Sequence, residues 1–126
     1  MILSFSKPEF KERILSGTKK HTIRLDAANR WKVGMMIQLW MHSPRNVTKN
    51  PHQFETKQCA SIQKIDIVRV DEYLEHTWVF IDGKRLNEDQ VQQLAWNDGF
   101  NSLIDFWMWF EGGFKGKIIH WTDLKY

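Results

Sequence analysis

Four side chains that can transfer protons or stabilise a negative charge lie within six consecutive residues of this sequence. Lys19, Lys20, Thr22 and Arg24 follow Gly17 at the junction between a predicted helix and a predicted strand. An amine with a lowered pKa can take the proton of a threonine hydroxyl, and a guanidinium can stabilise an oxyanion. Positive neighbours disfavour the ammonium form, so this clustering favours a lowered lysine pKa. As a set, the groups fit hydrolysis of an amide; the alternative is that they are ordinary solvated charges.

A short helix is predicted directly before this segment, over residues 7–16. Ser6 as N-cap and Glu9 three residues later form a capping-box signature, and Pro8 suits the first turn. Gly17 then ends the helix, because glycine readily adopts the left-handed conformation at that position.

The strand that follows determines which side chains lie together. If Ile23 and Leu25 face the core, then Thr22 and Arg24 face a pocket or solvent on the other side. Strict alternation backwards from Thr22 would place Lys20 on the same face, whereas a turn after Gly17 would break that alternation.

The rest of the chain reads as short strands with inserted helices. The segment 42–54 is a predicted loop whose Arg45 and Lys49 could reach a polyanion. A long strand is predicted over 55–70, with a change of phase that indicates a bulge or sharp bend. The other predicted elements are strands 2–5, 21–25, 35–41 and 117–124, a type I′ hairpin around Asp82-Gly83, and helices 87–96 and 102–111.

Length and composition indicate one soluble domain, residues 1–126, with a cytoplasmic location. The single cysteine, Cys59, cannot form a disulfide framework, and no stretch approaches the ~18 apolar residues of a membrane span. We recognise no secretory signal. The five histidines lack metal-ligand spacing, so we expect no metal and no cofactor, and the oligomeric state is open.

The net charge of +3 and the seven tryptophans bear on possible partners. A mildly basic chain is compatible with an anionic partner such as RNA. Trp107 and Trp109 are predicted core residues, whereas Trp31 and Trp40 lie near the Lys19 segment and are candidates to stack on a base.

The Lys19 segment resembles the most distinctive motif of the ASCH domain family, which belongs to the PUA-like superfamily. The resemblance rests on Ile14-Leu15-Ser16-Gly17-Thr18-Lys19-Lys20-His21-Thr22-Ile23-Arg24, on Trp31-Lys32-Val33-Gly34 before a strand, and on Ala95-Trp96-Asn97-Asp98-Gly99-Phe100. It implies an α+β fold, a PUA-like β-barrel of about five or six mixed strands with three helices packed around it.

The resemblance also implies a site and a function. The family is associated with RNA and modified nucleosides, and one branch removes the acetyl group of N4-acetylcytidine with a lysine, a threonine and a glutamate. The corresponding catalytic positions here are Lys19, Thr22 and Asp98, with an aspartate where the family has a glutamate. The expected substrate-binding residues are Arg24, Lys20, Trp31, Trp40, Arg45 and Asn97. The expected partner is therefore RNA or a modified nucleoside.

Two other interpretations stay open at this point. The same basic residues would serve a non-catalytic RNA-binding module, or a ribonuclease that stabilises charge on a phosphate.

Overall fold

The computed structural model describes residues 1–70 and 77–126. The described strands are β1 (Ile2–Phe5), β2 (His21–Arg24), β3 (Met36–Met41), β4 (His52–Gln58), β5 (Ser61–Arg69), β6 (Thr77–Ile81), β7 (Lys84–Arg85) and β8 (Phe114–His120). The described helices are α1 (Pro8–Ser16), α2 (Glu88–Asn97) and α3 (Leu103–Trp109), with a 3₁₀ turn at Val47–Lys49. The α+β class with three α-helices is confirmed.

The strands form two sheets, in the orders β1-β3-β4 and β2-β8-β5-β6-β7. Pairing is mixed, because β1 runs parallel to β3 and the other pairs are antiparallel. Within residues 1–70 and 77–126 there are eight strands and no closed barrel, so the predicted PUA-like barrel of five or six strands is not confirmed.

The predicted long strand 55–70 is wrong, because the chain passes from one sheet to the other in its middle. Cys59 N–H donates to the Met35 carbonyl beside the smaller sheet, and Ala60 N–H donates to the His120 carbonyl in the larger one. After this break, β5 pairs with β8 in a continuous register with no bulge. The change of phase came from Ser61 and Gln63, which are polar yet buried.

Helices α2 and α3 begin at a side-chain cap, whereas α1 does not. Asn87 caps α2 in a complete capping box with Gln90, and the Ser102 side chain accepts from the third backbone N–H of α3. Helix α1 instead begins after Lys7, with no side-chain cap, so the predicted Ser6 capping box is wrong. Gly17 ends α1 at φ 86°, as predicted.

Several predicted boundaries and orientations also change. The loop predicted over 42–54 already contains the start of β4, the final strand ends at His120 rather than at 124, and α3 ends before 111. Leu25 lies beyond the end of β2 and is 73% exposed, so its predicted core position is wrong. Trp109, also predicted to be core, is 50% exposed. The hairpin at Asp82-Gly83 is confirmed, since both residues have positive φ angles.

A single apolar core joins the helices to both sheets. It includes Ile14 of α1, Leu94 of α2, Phe106 of α3 and, from the two sheets, Leu39 and Ile118. This rigid centre fixes the ends of α1 and α2 beside the start of β2, which is where the candidate site forms.

Candidate active-site cavity

Two turns bring Lys19 and Asp98 together, although they are far apart in sequence. Gly17 N–H donates to Ile14 O at the end of α1, and Lys19 N–H then donates back to the carbonyl of Arg13 at 2.9 Å. Lys20 N–H donates to the carbonyl of Asn97 at 2.8 Å, which ties this turn to the end of α2. Lys19 therefore lies in the turn before β2 begins, so strand alternation does not decide its direction.

Asp98 caps the C-terminus of α2, and the glycine after it makes room for Lys19. Gly99 has φ 96°, a left-handed conformation that side chains rarely adopt. A β-carbon on Gly99 would lie 3.0 Å from both Lys19 Cδ and Phe10 Cδ1. The absence of a side chain at this position is therefore part of how the Lys19 side chain reaches Asp98.

The Lys19 ammonium is buried in contact with Asp98. Its Nζ donates to the Asp98 carbonyl at 2.5 Å and to Asp98 Oδ1 at 3.2 Å. It also lies 4.6 Å from the ring centre of Phe10 and 5.6 Å from that of Phe5, within cation–π range. Burial lowers the pKa of Lys19 to about 8, although the Asp98 carboxylate acts in the opposite direction.

A cavity of about 480 Å³ opens beside this pair. Lys19, Thr22, Arg24 and Asp98, four of the residues that the sequence singled out, line it. Trp31, predicted as a stacking residue, lines it as well. The remaining lining residues are Leu3, Ser4, Phe5, Ser6, Phe10, Ile23, Leu25, Phe100, Trp109, Phe110 and Phe114.

Thr22 and Arg24 project from β2 into this cavity and contact each other. Arg24 Nε donates to Thr22 Oγ1 at 3.3 Å, and Arg24 Nη2 donates to the Ser4 carbonyl at 2.9 Å. The guanidinium lies 5.0 Å from the Phe5 ring centre. Burial lowers the pKa of Arg24, yet an arginine side chain stays charged. Since the Thr22 oxygen accepts from Arg24, its own proton is available to another acceptor in the cavity.

A chain of neutral groups holds Asp98 from behind. His21 Nδ1 donates to Asp98 Oδ1 at 3.0 Å, and Tyr126 O–H donates to His21 Nε2 at 2.6 Å. The Tyr126 oxygen accepts in turn from Asn97 Nδ2 at 3.1 Å. Burial lowers the pKa of His21, which keeps the ring neutral, and raises the pKa of Tyr126, which keeps its proton on. Asp98 Oδ1 thus accepts from the Lys19 ammonium on one side and from the uncharged His21 ring on the other.

Four predicted binding residues do not line this cavity. The Lys20 side chain is half-buried outside it, and Asn97 lies behind Asp98 in the Tyr126 network. Trp40 lies within β3, and Arg45 is exposed in the turn between β3 and β4. The structure therefore brings together Lys19, Thr22, Arg24, Asp98 and Trp31, and leaves these four outside.

The cavity has an aromatic wall that the sequence did not reveal. Phe10, Phe100 and Trp109 meet edge to face, with ring centres 5.5–6.0 Å apart. Lys7 Nζ lies 5.0 Å from the Trp109 ring centre. Aromatic residues of the core and of a cavity wall follow the same spacing, so no sequence signal separated them. His21 and Tyr126 were missed because their roles depend on partners far away in the sequence.

Across 1–70 and 77–126 no helix is long and apolar enough to cross a membrane. The same residues contain no group of three or more histidine, cysteine or acidic side chains placed to hold a metal ion. Comparison of the chain with protein-family models, with curated proteins and with solved structures gave no match.

Proposed function

We propose that the Lys19 cavity recognises RNA or a modified nucleoside, and that it hydrolyses an exocyclic amide such as that of N4-acetylcytidine. The observation that carries the proposal is the convergence of Lys19, Thr22, Arg24 and Asp98, from two distant parts of the chain, on one aromatic-lined cavity. On this proposal the chain is an ASCH protein, and its two sheets correspond to the PUA-like barrel of that family.

The size and walls of the cavity suit a nucleobase. A volume of about 480 Å³ falls in the ~300–1,000 Å³ range of small-molecule sites. Aromatic rings such as Phe10 and Trp109 offer apolar surface to a base, while Arg24 and Lys19 offer hydrogen-bond donors. A modified base carries both a flat ring and a polar substituent, which is the combination that these walls match.

The chemistry assigned to the site needs only groups that line it. The Thr22 oxygen forms a bond to the acyl carbon while the neutral Lys19 amine takes the hydroxyl proton. The charge that develops on the carbonyl oxygen faces Arg24. When the carbon–nitrogen bond breaks, Lys19 returns the proton to the departing exocyclic nitrogen. The neutral Lys19 amine then takes a proton from water as the water oxygen bonds to the acyl carbon, and it gives this proton to the Thr22 oxygen as the ester bond breaks and acetate leaves.

Asp98 has a positioning role in this scheme. It holds the Lys19 amine through two contacts and keeps the pKa of Lys19 from falling further. With a pKa of about 8, roughly a tenth of Lys19 is neutral at pH 7. We therefore expect turnover to rise with pH up to about 8. The shorter aspartate is sufficient here because the backbone of Asp98 itself approaches Lys19.

One observation favours a non-catalytic module as the second candidate. Lys19 is already held by both the carbonyl and the carboxylate of Asp98, which is also how a purely structural ion pair would look. In that case the cavity would bind a nucleotide through Arg24 and its aromatic walls without turnover.

The test follows N4-acetylcytidine and cytidine by chromatography during incubation with the purified protein. Thr22→Val keeps a side chain of similar shape that suits a strand and removes the hydroxyl, so we expect turnover to fall at least ~100-fold. Thr22→Ser is the matched control and should retain turnover. Lys19→Met should also abolish turnover.

Three other results would contradict the hydrolase mechanism or favour a different function. Turnover that survives Thr22→Val would overturn the mechanism. Binding of N4-acetylcytidine without turnover, lost in Lys19→Met, would favour the non-catalytic module. Cleavage of labelled RNA that disappears in Lys19→Met would instead favour a ribonuclease.

A further inference from the structure

A second cavity of about 650 Å³ lies on the larger sheet and shares Leu25 with the Lys19 cavity. We call it the Phe80 groove. Its lining residues are Leu25, Asp26, Ala27, Asn29, Lys64, Ile65, Asp66, Phe80, Gly83, Lys115, Gly116 and Lys117. Because Leu25 lines both cavities and is exposed, the two cavities lie next to each other at the protein surface.

The strand register places the polar groups of the groove on one face of the sheet. Asp66 of β5 lies opposite Lys115 of β8 and opposite Phe80 of β6. Lys64 lies opposite Lys117 in the next row. Side chains of opposed residues in antiparallel strands point to the same face. The alternate residues of β5 and β6 are buried, so this row faces solvent.

The charge of the groove is positive, and part of it is free for a partner. Three lysines and two aspartates line it. Asp26 is already satisfied by the backbone N–H groups of Arg30 and Trp31 and by Lys117. Lys115 and Asp66 are 3.9 Å apart and 83% and 39% exposed, so their attraction is weak and screened. Within residues 1–70 and 77–126 the exposed Lys64 makes no ion pair, and the weak Lys115–Asp66 pair leaves the Lys115 ammonium accessible, so both can meet phosphates.

Phe80 supplies apolar surface beside these lysines, because it lies on β6, next to the β5 and β8 strands that carry them. It is half-buried, and its ring meets Trp78 edge to face at 6.4 Å. Arg85, on the neighbouring β7, lies opposite Phe80 and stacks over Trp78 at 4.2 Å. A sheet surface that combines exposed aromatic rings with neighbouring cationic side chains is a common platform for single-stranded nucleic acid, because bases stack while cations follow the backbone.

We propose that the nucleoside reaches the Lys19 cavity as part of single-stranded RNA, and that the flanking nucleotides lie in the Phe80 groove. This inference rests on the function proposed above and specifies its substrate as a polymer. Leu25 would contact the RNA where its backbone passes from the Lys19 cavity to the Phe80 groove. Arg45, which the sequence predicted as an RNA contact, has no role in this proposal, because it lines neither cavity.

The experiment is done in the Thr22→Val background, so that neither ligand is turned over, and compares two ligands by titration: free N4-acetylcytidine, and an RNA of about six nucleotides with N4-acetylcytidine at its centre. We expect Phe80→Ala and the double variant Lys64→Glu/Lys115→Glu each to weaken RNA binding about tenfold. Neither should change the affinity for the free nucleoside by more than about twofold. Phe80→Leu keeps apolar volume without the ring and should weaken RNA binding like Phe80→Ala, with the melting temperature as a check on folding.

Charge reversal in the loop between β3 and β4, Arg45→Glu/Lys49→Glu, is the matched control and should leave RNA binding unchanged. If the loop variant loses RNA binding and the groove variants keep it, the groove proposal is wrong. Equal binding of a DNA oligonucleotide of the same sequence would overturn the choice of RNA.

The design separates this inference from the proposed function. If Lys19→Met leaves turnover of free N4-acetylcytidine intact, the proposed function fails, whatever the groove does. If Lys19→Met abolishes that turnover but the groove variants bind RNA normally, only the groove inference fails.

Discussion

The Lys19 cavity and the Phe80 groove share Leu25 but hold their charged groups in opposite ways. In the cavity, Lys19 and Asp98 are almost fully buried and contact each other directly. In the groove, Lys115 and Asp66 face solvent and their charges are screened. The buried pair has a fixed geometry, and burial lowers the pKa of Lys19, so this site can discriminate and react. Exposed lysines such as Lys64 and Lys115 can attract a polyanion but do little to determine its position.

The largest expected difference between the two regions concerns loss of the aspartate. Asp98→Ala leaves a buried ammonium without its carboxylate, so we expect the free energy of unfolding at pH 7 to fall by about 3 kcal/mol. Asp66→Ala, the same substitution in the groove, should change it by less than about 0.5 kcal/mol. Urea unfolding of both variants measures the difference. Equal losses would show that Lys19 and Asp98 are no more buried than the groove pair.

The pH dependence of stability tests the Lys19 environment next. The pKa of Lys19 in the folded chain is about 8, below its ordinary value of 10.5. Between these values the unfolded chain holds a proton that the folded chain has released, so the lysine's contribution makes the protein more stable as pH rises. Relative to Lys19→Met, the wild-type protein should gain up to about 3 kcal/mol between pH 8 and pH 10.5.

The Lys19→Met variant is itself the control, because other groups that titrate in this range are present in both proteins. Burial raises the pKa of the Cys59 thiol, for example, in wild type and variant alike. A difference between the two proteins that stays constant or decreases above pH 8 would contradict a buried, desolvated Lys19.

A smaller change in stability is expected at low pH, from the buried polar groups behind the cavity. Burial, with His21 close by, lowers the pKa of His120 to about 3. The unfolded chain takes up this proton near pH 6.5, so stability should be lost as pH falls from about 7 to 4, on the order of 2 kcal/mol. His120→Gln retains a donor for Gln63 and should flatten this loss. His52→Gln, on exposed β4, is the matched control. The same loss of stability between pH 7 and pH 4 in the wild type, His120→Gln and His52→Gln would count against the buried His120.

The smallest expected effect concerns the residue that the two regions share. Leu25 is 73% exposed, so Leu25→Ala should change the free energy of unfolding by less than about 0.5 kcal/mol. Ile23→Ala, two residues earlier and buried, should cost about 2–4 kcal/mol. Similar losses at both positions would restore the arrangement that alternation predicted, with Leu25 in the core.

Local sequence rules predicted some residues of the Lys19 cavity but not those whose position depends on distant partners. Gly17, Thr22 and Arg24 follow from helix termination and strand alternation, which are local rules. Lys19 did not follow from alternation, because it lies in a turn tied to Arg13 and Asn97, and Asn97 is remote in sequence. Only the resemblance to a family motif favoured Lys19 over Lys20.

The errors in the fold have a similar origin in distant partners. Ser61 and Gln63 looked like a change of phase because polar residues rarely point inward. Gln63 is buried because it bonds His120 and Tyr126, neither of which a local pattern can connect to it. The break at Cys59 and Ala60 depends on carbonyl groups of Met35 and His120 in two different sheets.

The most direct test of the central claim is a crystal structure of the Thr22→Val protein with N4-acetylcytidine. We predict the base among Phe10, Phe100 and Trp109, with its acyl carbonyl facing Arg24 and the Lys19 amine. A nucleoside bound on another surface, with the Lys19 cavity unfilled at saturating concentration, would contradict the claim that these residues form a nucleoside site.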